Sequence, residues 1–243
     1  MKKIIYKIFT DGIGTNNSAD RDAWLIEKIN NIPSGKKILD AGAGEARLKK
    51  YCSHLEYTAQ EIALYDGVGN SKGYQKNERN YSDIDIFSDI YKIPVKDNFF
   101  DVILCVEVIE HLTDPIKAIN ELKRILKVGG QLIITAPFNS LTHYAPYHFY
   151  TGFTEYFYKH HLAELELEII EIKKNGNYFE HLAQEILRVD QIAISYNNKN
   201  LGFLFKIIKL FFLRLLNKMS SKDNDSNELQ CYGINVVCIK NSQ

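Results

Sequence analysis

Lys36 to Ala41 is a short apolar run that breaks into Asp40-Ala41-Gly42-Ala43-Gly44, and apolar runs of this kind alternate with helical segments along most of the chain. Ser18 to Asn31 predicts a helix. Ser18 caps it, Trp24, Leu25 and Ile29 share a face, and Pro33-Ser34-Gly35 ends it. Glu45 to His54 predicts a second helix, and Glu56 to Glu61 a second strand. Residues 65 to 82, rich in Gly, Asn, Ser and Lys, read as a surface loop. Asp83 to Ser88 and Phe100 to Val106 predict strands three and four. Asp114 before Pro115 is a cap-and-first-turn pair for a helix to Leu126; Gly129-Gly130 then turns the chain into a fifth strand, Gln131 to Ala136. Strands that alternate with helices form a parallel sheet with right-handed crossovers. Leu167 to Lys173 and Tyr232 to Lys240 break the rhythm and are expected to pair antiparallel at one edge.

The expectation is an α/β protein: a mostly parallel sheet of about seven strands with an antiparallel edge pair, helices on both faces and a helical insertion before the last strand. Residues 1–243 are expected to form a single domain, with a core at 18–176 plus the last strand at 230–240, and with 177–228 as a helical insertion and polar linker. Lys+Arg and Asp+Glu both number 30, so the net charge is zero, which argues against a dedicated nucleic-acid binder. Cys52, Cys105, Cys231 and Cys238 show no CxxC pairing and read as reduced thiols. The opening Met1-Lys2-Lys3-Ile4-Ile5-Tyr6-Lys7, with Asp11 soon after, does not read as a signal peptide. A cytoplasmic location is the expectation, at the inner face of the membrane if the insertion touches lipid.

The glycines after strand one let the backbone turn tightly and approach a ligand. Arg47 stands where a dinucleotide fingerprint needs a small residue, which disfavours a bound pyrophosphate. Asp40, just before the turn, suits a ligand that carries positive charge, such as an amino-acid ammonium. Glu61, at the end of strand two, can accept hydrogen bonds from ribose hydroxyls; the plain alternative is an exposed strand-end charge.

Asp40-Ala41-Gly42-Ala43-Gly44 resembles the first motif of class I S-adenosylmethionine (SAM) dependent methyltransferases. Ser88-Asp89-Ile90-Tyr91-Lys92-Ile93-Pro94, followed by Asn98 to Ile103, resembles their adenine loop and fourth strand. Leu126-Lys127-Val128-Gly129-Gly130-Gln131-Leu132 resembles their turn into strand five. The resemblance covers roughly residues 36 to 165 and implies a Rossmann-like fold with SAM as cofactor. It implies Asp40, Gly42 and Gly44 around the methionine part, Glu61 on the ribose, Asp89 and Ile90 at the adenine, and Cys105 and Val106 beneath the cofactor. Ala43 stands where Cys or Ser is frequent in that motif.

Methyl transfer is an in-line displacement, and a hydroxyl acceptor must also lose its proton. Glu107, Glu110 and His111 stand at i, i+3 and i+4 and would face one side of a helical turn. His111 is the first candidate base, then His148, then His143, with Glu110 orienting the base. The Glu-x-x-Glu-His pattern with a later His resembles metal-assisted O-methyltransferases, which implies a divalent-cation set (Mg²⁺ or Mn²⁺) of Glu107, Glu110, His111 and His148. A base without metal, or a pair that only shapes the pocket, are the alternatives. Tyr144, Tyr147, Phe149 and Tyr150 form a candidate acceptor wall.

His143 to Gln184 also resembles methyltransferases of bacterial surface-polysaccharide pathways, on Ala145-Pro146-Tyr147-His148-Phe149-Tyr150-Thr151-Gly152-Phe153 and Asn175-Gly176-Asn177-Tyr178-Phe179. That resemblance implies O-methylation of a sugar or glycan-precursor hydroxyl. Methylation of a quinone, lipid or other metabolite at O, N or C, and a binding module that does not catalyse, remain as alternatives. Residues 201–218 predict an amphipathic helix with Lys206, Lys209, Arg214 and Lys218 on its polar half. It could be a lid, a homodimer contact or a peripheral membrane contact; its uncharged runs are too short to span.

Overall fold

In the computed structural model, residues 11–75, 79–198 and 201–242 are described. The basic opening at 1–7 lies outside them. The chain divides into two compact units. One comprises Trp24–Lys173 with the chain from Gly233 on, and the other Lys174–Tyr232 with the chain up to Ala23.

The first unit is built on a seven-stranded sheet: β1 (Lys37–Ala41), β2 (Glu56–Glu61), β3 (Ile86–Phe87), β4 (Phe100–Val106), β5 (Leu126–Pro137), β6 (Leu167–Asn175) and β7 (Gly233–Lys240). Their order is β3-β2-β1-β4-β5-β7-β6. β1 pairs parallel with β2 and β4, β2 with β3, and β4 with β5. β7 runs antiparallel to β5. This is the Rossmann-like mostly parallel sheet with its antiparallel edge. Strand order reverses at β1, where the chain turns from β2 and β3 on one side to β4 and β5 on the other, and ligands of open α/β sheets sit at such a point.

Alternation assigns the two faces. Ile38, Val102, Leu104, Ile133 and Val237 form one buried cluster with Trp24, Leu25 and Ile29 of α1 (Asn17–Asn30). Leu39, Ile103, Leu132 and Ile134 point to the opposite face and are fully buried. α2 (Pro115–Ile125) contacts β5 and buries Ala118, Ile119, Leu122 and Ile125. Asp114 caps it, accepting from the Lys117 N–H at 3.0 Å, with Pro115 in the first turn. α3 (Glu155–Glu164) precedes β6.

Three elements differ from expectation. The helix predicted at Glu45–His54 is a series of turns with one short 3₁₀ segment, Lys49–Tyr51, because Ala46 takes φ +52°, which no α-helix accommodates. Strand three shrinks to Ile86–Phe87. The Asp85 carboxylate accepts from the Ala59 N–H at 2.8 Å, in the place of a ladder carbonyl. The Gly129-Gly130 turn lies inside β5: the register with β4 jumps from Phe100↔Leu126 to Val102↔Gln131, so the glycines bulge out of a continuous strand.

The second unit holds α4 (Tyr178–Asn197) and α5 (Phe203–Ser220), which pack on each other. It takes in 177–228 and also the chain before Trp24. Its core joins Ile13, Ala183, Leu213 and Leu216. A capping box starts α4: Asn177 accepts from the Glu180 N–H while Glu180 accepts from the Asn177 N–H.

Candidate active site

A cavity of about 360 Å³ opens at the carboxyl ends of β1, β2 and β4, and every residue lining it belongs to the sheet unit. Its floor is the glycine turn. Gly42 takes φ +70°, and a Cβ there would lie 2.6 Å from Val108 Cγ2. Only glycine supplies this turn at that clearance. Gln60, buried at the end of β2, ties the floor to the adjoining loop. Its Oε1 accepts from the Gly42 N–H at 3.2 Å and its Nε2 donates to the Ser88 carbonyl at 2.7 Å. Glu61 accepts from the Gly44 N–H at 2.8 Å and from the Ile62 N–H at 2.9 Å, and its carboxylate faces the cavity. Since no helix begins at the turn, no helix dipole favours an anion there.

Of the residues expected around a cofactor, Gly42, Gly44, Glu61, Asp89 and Ile90 line the cavity. Asp89 closes its loop by accepting from the Tyr91 N–H at 2.9 Å. Asp40, Cys105 and Val106 do not line it. Asp40 is buried in β1 beneath the turn, where the Tyr57 hydroxyl donates to it at 2.7 Å. Burial pushes its carboxyl up to about 6, against the opposing pull of the Tyr57 hydrogen bond and the Arg47 charge. Cys105 is fully enclosed in β4, and burial pushes its thiol up. All four cysteines are buried.

At the opposite wall, Glu107 and Val108 follow β4. Glu107 sits at φ +56° and accepts from the Thr135 hydroxyl at 3.0 Å. The short helical turn is only Ile109–His111, so Glu107 is outside it and does not share a face with Glu110 and His111. Glu110 is fully buried and does not line the cavity, whereas His111 does. His111 Nδ1 lies 2.5 Å from the Tyr147 carbonyl and must donate to it, which leaves Nε2 as the acceptor nitrogen, 3.7 Å from Glu110 Oε1. Burial lowers the His111 pKa to about 3; the nearby His143, His148 and Arg79 push the same way, while the Tyr147 carbonyl opposes them. The imidazole is therefore neutral at pH 7, and its contact with Glu110 is not an ion pair.

His143 donates from Nδ1 to the Leu141 carbonyl at 2.9 Å, and its ring stands 4.7 Å from that of His111. Ser140 gives its one proton to the Thr151 carbonyl, so His148 Nε2 donates to the Ser140 oxygen at 3.2 Å. Neither His143 nor His148 lines the cavity. Glu110, His111 and His143 each offer one ligand atom within 4.8 Å of the others. Ligands on one zinc-sized ion stand about 3–3.5 Å apart, so this group would have to contract. Glu107 and His148 are not part of it, and the four-residue cation set expected from sequence is not brought together.

Tyr144, Tyr147 and Phe149 line the cavity and Tyr150 does not. Sequence reasoning missed the residues facing them. The loop at 65–82 is not a plain surface loop: Tyr65, Arg79 and Tyr81 line the cavity. The Arg79 guanidinium lies 5.4 Å from the Tyr65 ring and 4.9 Å from the Tyr144 ring, and its Nε is buried with no hydrogen-bond partner. Gly73 packs on the Thr142 carbonyl and the Asn70 N–H donates to the Ala145 carbonyl, so the loops at 65–75 and 141–147 brace each other. No periodicity marks such a loop; an Arg among tyrosines was the one available signal.

Residues 39–134 match the methyltransferase domain family. An uncharacterised protein of Methanocaldococcus jannaschii is 49% identical over 97 residues, which are 40% of this chain and 39% of that protein. The ubiquinone/menaquinone biosynthesis C-methyltransferase of Pseudomonas paraeruginosa is 29% identical over 114 residues, 44% of each chain. The chain thus spans less than half the length of these curated relatives. Among solved structures, phosphoethanolamine N-methyltransferase 2 of Haemonchus contortus, in complex with S-adenosyl-L-methionine, superposes with a TM-score of 0.52 at 15% identity. That match covers 97% of this chain and 56% of the other. The fold is the Rossmann-like fold of class I methyltransferases, and the residues that match the methyltransferase family model fall on the strands that build the cavity.

Proposed function

We propose that the protein transfers a methyl group from SAM to a hydroxyl of a sugar or glycan precursor. One observation carries the reading. The glycine turn, Glu61 and the Asp89-Ile90 loop on one side, and His111 with an aromatic wall on the other, line a single cavity. Glu61 would take the ribose hydroxyls, Asp89 and Ile90 would border the adenine, and the glycine turn above Asp40 would hold the methionine part. Tyr144, Tyr147 and Phe149 suit the flat apolar face of a sugar ring. SAM would supply the activated methyl group, and His111, on the cavity wall, would take the hydroxyl proton once its ring turns Nε2, buried 3.7 Å from Glu110, towards the acceptor. Its low basicity makes that transfer late, and Glu110, 3.7 Å from Nε2, holds that side of the ring.

Calorimetric titration with SAM and S-adenosylhomocysteine tests the cofactor site; saturable one-site binding of both is expected, and no binding of either would refute the reading. With labelled SAM and sugar acceptors, His111→Ala should keep cofactor affinity and slow transfer by about 100-fold. Full turnover by that variant would remove His111 from the mechanism. A rate that falls with a chelator and returns with Mg²⁺ or Mn²⁺ would replace the base by a metal on Glu110, His111 and His143.

A further inference from the structure

Helix α5 has three kinds of side. Leu213 and Leu216 bury into the core of the helical unit. Leu204, Ile208, Phe211, Phe212, Leu215 and Met219 form a second, apolar stripe at helical spacing, and all six are exposed, Leu204 and Phe211 by 70% and 71%. Arg214 and Lys218, i and i+4, stand exposed on the third side, beside the stripe; Lys206, also exposed, is seven residues before Leu213 and shares its side. Over Phe203–Ser220 the helix carries no Asp or Glu. Its remaining cation, Lys209, is turned to Asp190 of α4.

An exposed stripe of six large apolar side chains on one helix is more than scattered surface hydrophobicity and marks a surface that something covers. We propose that α5 lies on an anionic lipid surface, its apolar stripe in the acyl boundary and the flanking Arg214 and Lys218 at the headgroups. Charge complementarity selects this occupant. A second copy meeting the same stripe would set basic flank against basic flank, and protein interfaces are depleted in lysine. An anionic bilayer takes up both the apolar stripe and the basic side. No helix among the described residues is long and apolar enough to cross a membrane, so the contact is interfacial. The proposal does not depend on which reaction the cavity supports.

The test is sedimentation of the full chain with vesicles of phosphatidylcholine alone, and with about one third phosphatidylglycerol. Pelleting with the anionic vesicles only is expected, weakened by high salt and by about fivefold for each of Arg214→Gln and Lys218→Gln. Phe211→Ser with Leu215→Ser should weaken it by about tenfold or more while circular dichroism stays unchanged, because both side chains are exposed. No pelleting, equal pelleting with neutral vesicles, or indifference to these substitutions would overturn the proposal. So would a dimer in light scattering that the serine variant dissociates while vesicles are ignored.

Discussion

Asp40 holds its proton to higher pH in the folded protein than in the unfolded chain, because burial disfavours its charge. Between about pH 4 and pH 6 the folded state therefore binds more proton than the unfolded one. Stability falls as pH rises through that window, by up to about 3 kcal/mol. Asp40→Asn should accordingly raise the Tm at pH 7, and the gain should vanish below about pH 4; a variant that is equally destabilised at both pH values would contradict this account. If the carboxylate offsets the sulfonium or ammonium of SAM, the same variant should also bind SAM more weakly. Arg79 gives the complementary prediction. A guanidinium held between two tyrosines, with a buried and unsatisfied Nε, suits an anionic group of the ligand. Arg79→Gln should weaken S-adenosylhomocysteine by about 10–100-fold and spare 5′-methylthioadenosine, which lacks the amino-acid carboxylate. Equal loss for both would show that Arg79 supports the wall rather than the carboxylate. Asp40 was readable in the sequence because it adjoins a glycine turn. Arg79 was not, because one of its two partners, Tyr144, comes from another loop.

Regular elements were legible where periodicity and burial agree. β2 and β4 match their predicted bounds, and α1 and α2 fall within a residue of theirs: β4 and the two helices carry an apolar run or face, and β2 carries the strand formers Tyr57 and Thr58. The failures have local causes that a pattern does not contain: a left-handed Ala46, a carboxylate that substitutes for a strand carbonyl, and a bulge that keeps two glycines inside β5. The Glu107–His111 segment failed the same way. A positive φ at Glu107 takes that side chain to Thr135, so spacing that reads as one helical face becomes two separate positions. The glycine turn is the element most exposed to test. At φ +70°, with Val108 within 2.6 Å of a new Cβ, Gly42→Ala should cost about 1–3 kcal/mol in denaturant unfolding. It should also weaken SAM, because the turn must move away from Val108. An unperturbed variant would mean that the turn relaxes freely and does not shape the floor.

For the molecule as a whole, a parallel sheet whose order reverses at β1 leaves a crevice at the strand ends, and the alternating sequence pattern already implied it. The chemistry inside the crevice was legible only in part, because the loops at 65–82 and 141–149 that wall it obey no period. Since the lining comes entirely from the sheet unit, ligand binding must appear as stability of that unit. S-adenosylhomocysteine at about 100 times its Kd should add about 2.7 kcal/mol by mass action, a rise in Tm of about 5–10 °C for a unit of this size. Any transition that belongs to the helices of residues 174–232 alone should stay in place, because none of them lines the cavity. Calorimetry with and without the ligand separates the two. A shift of the sheet transition alone would locate the cofactor in the crevice, and a thermogram that the ligand leaves unchanged would place it elsewhere or nowhere.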